Sequence, residues 1–231
     1  EREVGGHPAE RAIARRVERL LERFLGEEAA HDTGGFEPWL LEAGFGLGED
    51  AERPILDLGG WGLHGAIDRV DRAPDGRALV HDYKLAAGVT PRDKFEERAK
   101  LQLPLYLLAA QTHWGAEPVG GIYHPLRGTS NRRPRGVVAK SSAGDLSGYD
   151  LYRGDVVDDD ALEELLEQTG ERAGAIVSRI HAGEIRRDPG PREGLRGHDV
   201  CPTWCSFAPI CRRDRAPSYV ELEENEAGRE R

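Results

Sequence analysis

Residues 65–84, GAIDRVDRAPDGRALVHDYK, constrain the fold of this chain more than any other stretch. Two runs of strand-forming residues flank the segment Ala73-Pro74-Asp75-Gly76-Arg77. Proline presets one backbone dihedral and glycine supplies a positive one, so the segment predicts a tight turn between paired strands. With the turn centred on Asp75, positions whose numbers sum to 150 face each other. Asp68 then lies opposite Asp82, and strand alternation puts Lys84 on the same face as Asp82. Like charges placed opposite each other destabilise a sheet, and charge in an apolar strand is costly unless something uses it.

A divalent cation between Asp68 and Asp82 removes that repulsion, because carboxylate oxygens are good ligands for Mg²⁺ or Mn²⁺. A cation held there polarises a phosphoryl oxygen and acidifies a bound water. Lys84 then orients that water or stabilises charge developing on the phosphate. The three residues read as a phosphodiester-hydrolysis centre. They also fit a strand-end ion pair, with Asp68 and Asp71 merely solvated. The segment that follows, KLQLPLYLLAA, places Gln102 and Tyr106 four residues apart on one helix face. Leu101, Leu105 and Leu108 supply the apolar face beside them. The pair either serves the strand end or borders an ordinary amphipathic helix.

The remaining segments supply the frame. HPAERAIARRVERLLERFLGEE predicts a helix, with Pro8 in its first turn and Ile13, Val17, Leu20, Leu21 and Phe24 as a stripe at helical period. FEPWLLEAGFGL holds a second element. RDKFEERAKLQLPLYLLAAQTHWG predicts a helix that Pro104 kinks or starts, and PVGGIYHPL a short strand. Residues 127–148 are rich in Gly, Ser and Arg and predict a loop, and DALEELLEQTGERAGAIVSRIHAGEI predicts a long amphipathic helix. The order helix, strands, helix, strand, helix indicates an α/β fold with a mixed sheet. A length of 231 residues suits one large domain. Its expected parts are an N-terminal helix in 1–35, a catalytic core in 36–126, a loop and helix in 127–198, a Cys-rich segment in 199–215 and an acidic tail in 216–231.

The net charge of −10 argues against a nucleic-acid partner if taken alone. The charge is unevenly spread, however. Arg127, Arg132, Arg133, Arg135 and Lys140 occur with no acid among them, and a second basic stretch runs from Arg186 to Arg215. The first stretch reads as a sequence-independent grip on DNA phosphates or as a solvated loop. No run of 18 apolar residues and no signal-peptide pattern is present, which leads us to expect a cytoplasmic protein without a membrane partner. The sequence has no Met, even at position 1, so a fragment of a longer protein is expected.

GAIDRVD, ALVHDYKLAAG and AKLQLPLYLLAA, in this order and spacing, resemble the RecB-family branch of the PD-(D/E)XK nucleases. That family has a Gly-x-x-Asp-Arg-hydrophobic-Asp strand, an Asp-Tyr-Lys strand and a Gln-x-x-x-Tyr helix. The resemblance implies a restriction-endonuclease-like core, a central mixed sheet flanked by helices. It also implies a metal-dependent deoxyribonuclease, an exonuclease acting in DNA repair or recombination, with a helicase domain or subunit as partner. Residue by residue, it implies metal ligation by Asp68 and Asp82, catalysis by Lys84 and support from Gln102 and Tyr106. Glu42, in LLEAGFGL, matches an accessory acid or is a surface residue. The family carries a metal-binding His on its first helix. His7 is the candidate here, although it precedes Pro8 and also reads as a helix cap.

Cys201, Cys205 and Cys211 are the only cysteines and fall together in CPTWCSFAPIC. Clustering of this kind in an intracellular protein points to metal rather than disulfides. Three thiolates are one short of a closed zinc site or a [4Fe–4S] cluster. The resemblance implies the cluster, of the kind in AddB-like relatives, with the fourth ligand outside this chain. Zinc, no metal, or His198 as a substitute ligand are the alternatives. A DNA nuclease is the leading expectation, and a catalytically silent DNA-binding or scaffolding domain is the alternative.

Overall fold

A computed structural model describes residues 7–46, 55–86, 89–95, 100–127 and 132–184. Helix α1 (Pro8–Ala30) begins at His7, whose Nδ1 accepts from the Ala9 N–H while the Glu10 carboxylate accepts from the His7 N–H. This reciprocal capping, with proline at the first helical position, satisfies amides that the helix itself leaves without partners. Strand β1 (Glu37–Phe45) follows, then a small hairpin of β2 (Leu56–Asp57) and β3 (Gly62–Leu63). Strands β4 (Gly65–Arg72) and β5 (Arg77–Lys84) come next. Helix α2 (Gln102–Trp114) leads into β6 (Glu117–Pro125). Strands β7 (Arg135–Ala139) and β8 (Val156–Val157) and helix α3 (Asp159–His181) complete the described chain.

Six strands form one mixed sheet in the order β1-β4-β5-β6-β7-β8. β4 is antiparallel to β1 and β5, β5 and β6 are parallel, and β6 and β7 are antiparallel. The parallel β5–β6 pair requires a crossover, and α2 lies within it. Helix and strand meet closely because Gly121 has no side chain: a Cβ there would lie 2.8 Å from Leu103. The 65–84 hairpin has the expected register. Arg69 pairs with His81, Val70 with Val80 and Asp71 with Leu79. The turn closes through Gly76 N–H to Ala73 O at 3.0 Å, with Gly76 at φ +97°.

The core is the apolar lining of this sheet. Ile67, Val70, Leu79, Val80, Leu103, Leu107 and Ile122 are all fully buried. Three expectations change. The helix expected from Arg92 starts at Gln102, with a 3-10 turn at Arg92–Lys94. Residues 127–148 hold β7, because the apolar run Gly136–Ala139 fits the pleat beside β6 despite its Gly/Arg-rich surroundings. The α1 stripe is also narrower than its periodicity suggests. Leu20 and Phe24 are half-buried, whereas Ile13, Val17 and Leu21 are exposed. Pro104 sits in the first turn of α2, where a missing N–H costs nothing, so it marks a start and not a kink.

The chain divides into two compact units, Glu1–Gly174 and Ala175–Arg231, and the whole six-stranded sheet lies in the first. The described residues of the second are the last turns of α3 and the few residues after it. No helix among the described residues is long and apolar enough to cross a membrane.

Candidate active site

The hairpin register continues one step beyond Arg69↔His81, which places Asp68 opposite Asp82. Asp68 Oδ2 accepts a 2.8 Å hydrogen bond from the Tyr83 N–H, so the β5 backbone fixes one carboxylate beside the other. Asp82 is almost wholly buried, at 2% exposure. Burial pushes its carboxyl above the ordinary aspartate value, Lys84 pulls it back, and Asp68 adds to the rise. Lys84 Nζ lies 2.6 Å from Asp82 Oδ2. That approach does not meet hydrogen-bond geometry, and Oδ2 remains a buried atom without a hydrogen-bond partner.

Helix α2 adds the polar pair. Lys84 Nζ donates to Gln102 Oε1 at 2.8 Å, and Gln102 Nε2 donates to the Tyr106 hydroxyl at 3.0 Å. The Lys84 carbonyl accepts from Ala86 and Leu126 N–H, which holds the strand end beneath its side chain. A cleft of about 630 Å³ opens here, lined by Lys84, Gln102, Tyr106, Tyr123, Leu63 and Lys100 among others. Asp68, Asp82, Lys84, Gln102 and Tyr106 are therefore brought together, although they come from three elements.

The residues fit a divalent cation. Two oxygen donors face each other, one of them buried and lacking a hydrogen bond, which is the donor chemistry Mg²⁺ and Mn²⁺ favour. Among the described residues no three His, Cys, Asp or Glu side chains converge as a ligand set. A two-carboxylate site suits Mg²⁺, which keeps several waters and takes phosphate oxygens as further ligands.

The other expected residues lie elsewhere or at the margin. Glu42 falls between the pairs Leu41↔Arg69 and Ala43↔Ile67, hence opposite Asp68. It is exposed and holds φ +48°, a left-handed conformation that costs a non-glycine residue roughly 1–2 kcal/mol. His7 is engaged as the α1 cap and would forfeit that bond to bind metal. Arg132 pairs with Glu27. Arg133 pairs with Asp150 at 2.9 Å and stacks 3.9 Å over Tyr152. Arg135 makes two hydrogen bonds to buried Asp155, at 2.7 and 2.9 Å. Arg127 is exposed. Cys201, Cys205, Cys211 and His198 lie outside the described residues.

The sheet's other face carries a polar cluster that the sequence reading missed. Asp71, solvated only under the ion-pair alternative, is completely buried. Arg69 donates two 2.5 Å hydrogen bonds to it, and His81 Nε2 lies 3.3 Å away. His81 Nδ1 in turn sits 2.9 Å from His124 Nε2. Burial alone would raise the Asp71 carboxyl, but His81 and Arg69 outweigh it and hold it below its ordinary value. Burial, reinforced by His81 and Arg69, holds His124 well below the usual imidazole range. The signal for this cluster was the second acid of GAIDRVD, two residues from Arg69 and so on the same face.

Comparison with protein-family models finds one whose match spans residues 1–212, described as the PD-(D/E)XK nuclease superfamily. The chain belongs to the PD-(D/E)XK nuclease superfamily. Its mixed sheet flanked by helices has the restriction-endonuclease-like architecture of that superfamily, and members are nucleases that generally use Mg²⁺ or Mn²⁺. No curated protein matched the chain. Within a PD-(D/E)XK frame, Asp82 and Lys84 occupy the end of the central β5 strand, and Asp68 lies on the neighbouring β4.

Proposed function

We propose that this PD-(D/E)XK chain is a deoxyribonuclease that hydrolyses phosphodiester bonds at the Asp68–Asp82–Lys84 cluster. The observation that carries the reading is the buried Asp82 carboxylate, set opposite Asp68 and 2.6 Å from Lys84, whose side chain lines an open cleft. Asp68 and Asp82 would hold the divalent cation. When bound, that ion supplies polarisation of a phosphoryl oxygen and acidifies a water. Lys84, aligned by Gln102, places a positive charge where the phosphate becomes more negative in the transition state. Tyr106 holds the Gln102 amide so that its oxygen faces the lysine. Glu42 is the accessory acid, positioned opposite Asp68.

The RecB-like order of the three motifs supports a place in DNA repair or recombination, exonucleolytic cleavage and a helicase partner. A [4Fe–4S] cluster on Cys201, Cys205 and Cys211 belongs to the same reading and rests on the sequence alone. Exposed Arg127 and half-buried Arg133 would add phosphate contacts.

The test is cleavage of single- and double-stranded DNA with Mg²⁺ or Mn²⁺ by the wild type, Asp82→Ala and Lys84→Ala. Wild-type cleavage should fall by about 10²–10³ in Lys84→Ala, the usual cost of removing one transition-state charge partner. Asp82→Ala should abolish it. Equal cleavage by all three would remove the assignment, and DNA binding without cleavage would favour a silent scaffold.

A further inference from the structure

We propose that Tyr123 is the positioning residue of this site, using its ring to hold Lys84 and its hydroxyl to hold the start of α2. The inference rests on the nuclease reading of Lys84 and extends it to a strand that carries none of the three motifs.

Tyr123 lies on β6 directly across from Asp82 in the parallel β5–β6 register. Paired positions project to the same face, so its ring enters the floor of the cleft and is only 4% exposed. Lys84 Nζ sits 5.4 Å from the ring centroid, inside the distance at which an ammonium is drawn to an aromatic face. The lysine is thereby held from three directions: Asp82 on its own strand, Gln102 on α2, and Tyr123 on β6. A carboxylate that binds a cation has less charge left for Lys84. Gln102 and the ring do not lose their hold in that way. A flexible four-carbon side chain needs such supports if its charge is to stay in one place.

The hydroxyl acts on the same cluster by another route. Helix α2 begins at Gln102, and its N-cap, Leu101, offers no side-chain hydrogen bond. The Leu103 N–H, one of the amides left open at a helix start, donates to the Tyr123 hydroxyl at 3.3 Å. Tyr123 thus substitutes for the missing cap and ties the residue beside Gln102 to the sheet. One side chain fixes the lysine and the helix end that orients the lysine's partner.

Two variants separate these roles: Tyr123→Phe keeps the ring and loses the hydroxyl, and Tyr123→Leu loses the ring. The first readout is the Lys84 ε-methylene resonance in ¹³C-lysine-labelled protein, assigned by Lys84→Arg. The second is kcat and KM for cleavage of a short DNA. In the wild type the resonance should be displaced upfield by the ring current, and Tyr123→Phe should retain that displacement. Tyr123→Leu should move it to the exposed-lysine position and lower kcat about two- to fivefold with KM unchanged, the scale of one partly exposed cation–aromatic contact. Tyr123→Phe should restore most of kcat. A folded Tyr123→Leu protein with wild-type kcat and an unmoved resonance overturns the proposal. If that variant does not fold, the wild-type spectrum decides, because an undisplaced Lys84 resonance overturns it equally. Absence of any Asp82-dependent cleavage would instead remove the nuclease reading, and the resonance would still report on the ring contact.

Discussion

At the scale of the residue, Asp82 shows what the site costs the fold. Its carboxyl is buried and raised, so the folded chain binds that proton more tightly than the unfolded chain does. The linkage sign follows: stability falls as pH rises through the ordinary aspartate value of 3.8, and the penalty is complete above the folded value. At neutral pH the protein therefore carries a buried charge that Lys84 offsets only in part and that a divalent cation would relieve further. Asp82→Asn should raise Tm in chelator at pH 7, each kcal/mol relieved being worth about 2–4 °C in a chain of this length. It should also abolish cleavage. Adding Mg²⁺ should raise the Tm of the wild type and leave that of Asp82→Asn unmoved, since only a ligand bound to the folded state stabilises it. A thermal scan with four samples settles the matter, and a Mg²⁺ response in the variant equal to that of the wild type would count against Asp82 as a ligand.

At the scale of the element, β5 separates two chemistries by alternation. Asp82 and Lys84 face α2 and the cleft, whereas His81 and Tyr83 face α1, where Phe24 packs edge-on to Tyr83 at 5.2 Å. The second face is structural. The Arg69–Asp71 pair and the His81–His124 contact tie β4, β5 and β6 together across the sheet. Asp71→Ala would leave Arg69 with Glu28 and the Tyr83 hydroxyl, each at 3.3 Å. The loss should therefore fall below the range of about 3–5 kcal/mol for a fully stranded buried charge. The acid limb carries the opposite sign to Asp82. Because the Asp71 carboxyl is lowered, its contribution is present above pH 3.8 and is lost as pH falls through the folded value. Denaturant melts of the wild type and Asp71→Asn should therefore converge as the pH drops into that acid range. A constant gap between them would show that the charge is not what matters. The active face was legible in the sequence because its logic is local: turn symmetry fixes Asp68 against Asp82, and helical spacing fixes Gln102 near Tyr106. Tyr123 and His124 were not legible. Their register with β5 is parallel and is set by how a whole crossover packs, which no short pattern records.

At the scale of the whole molecule, a net charge of −10 must coexist with a polyanionic substrate. The sequence showed a basic stretch around Arg127–Arg135, but composition cannot show which charges are already matched. The fold matches several of them, with Arg132 on Glu27, Arg133 on Asp150 and Arg135 on buried Asp155. These pairings grade the stretch. Arg135 is bound twice to a carboxylate with no exposure, so moving it to a phosphate would strand that charge in the interior. Arg133 is about one-third exposed and its ion pair with a largely exposed aspartate is weak. Turning to phosphate would also cost it hydrogen bonds to the Asp150 and Leu151 carbonyls and its stacking on Tyr152. Arg127 is exposed on the segment following β6, and its backbone N–H bonds to Ala86 near Lys84. DNA affinity measured against salt should resolve the three. Each phosphate contact removed should lower the slope of log K against log salt by about 0.7–0.9. Arg127→Glu should show that change and keep a wild-type Tm. Arg133→Glu should show it with a small loss of Tm from its broken contacts to Asp150, Leu151 and Tyr152. Arg135→Glu should instead lower stability by about 3–5 kcal/mol, the cost of breaking a buried pair. If the slope stays at its wild-type value in Arg127→Glu and Arg133→Glu alike, the grip on the backbone lies outside this stretch, and the cleft cations Lys84 and Lys100 are the next to reverse.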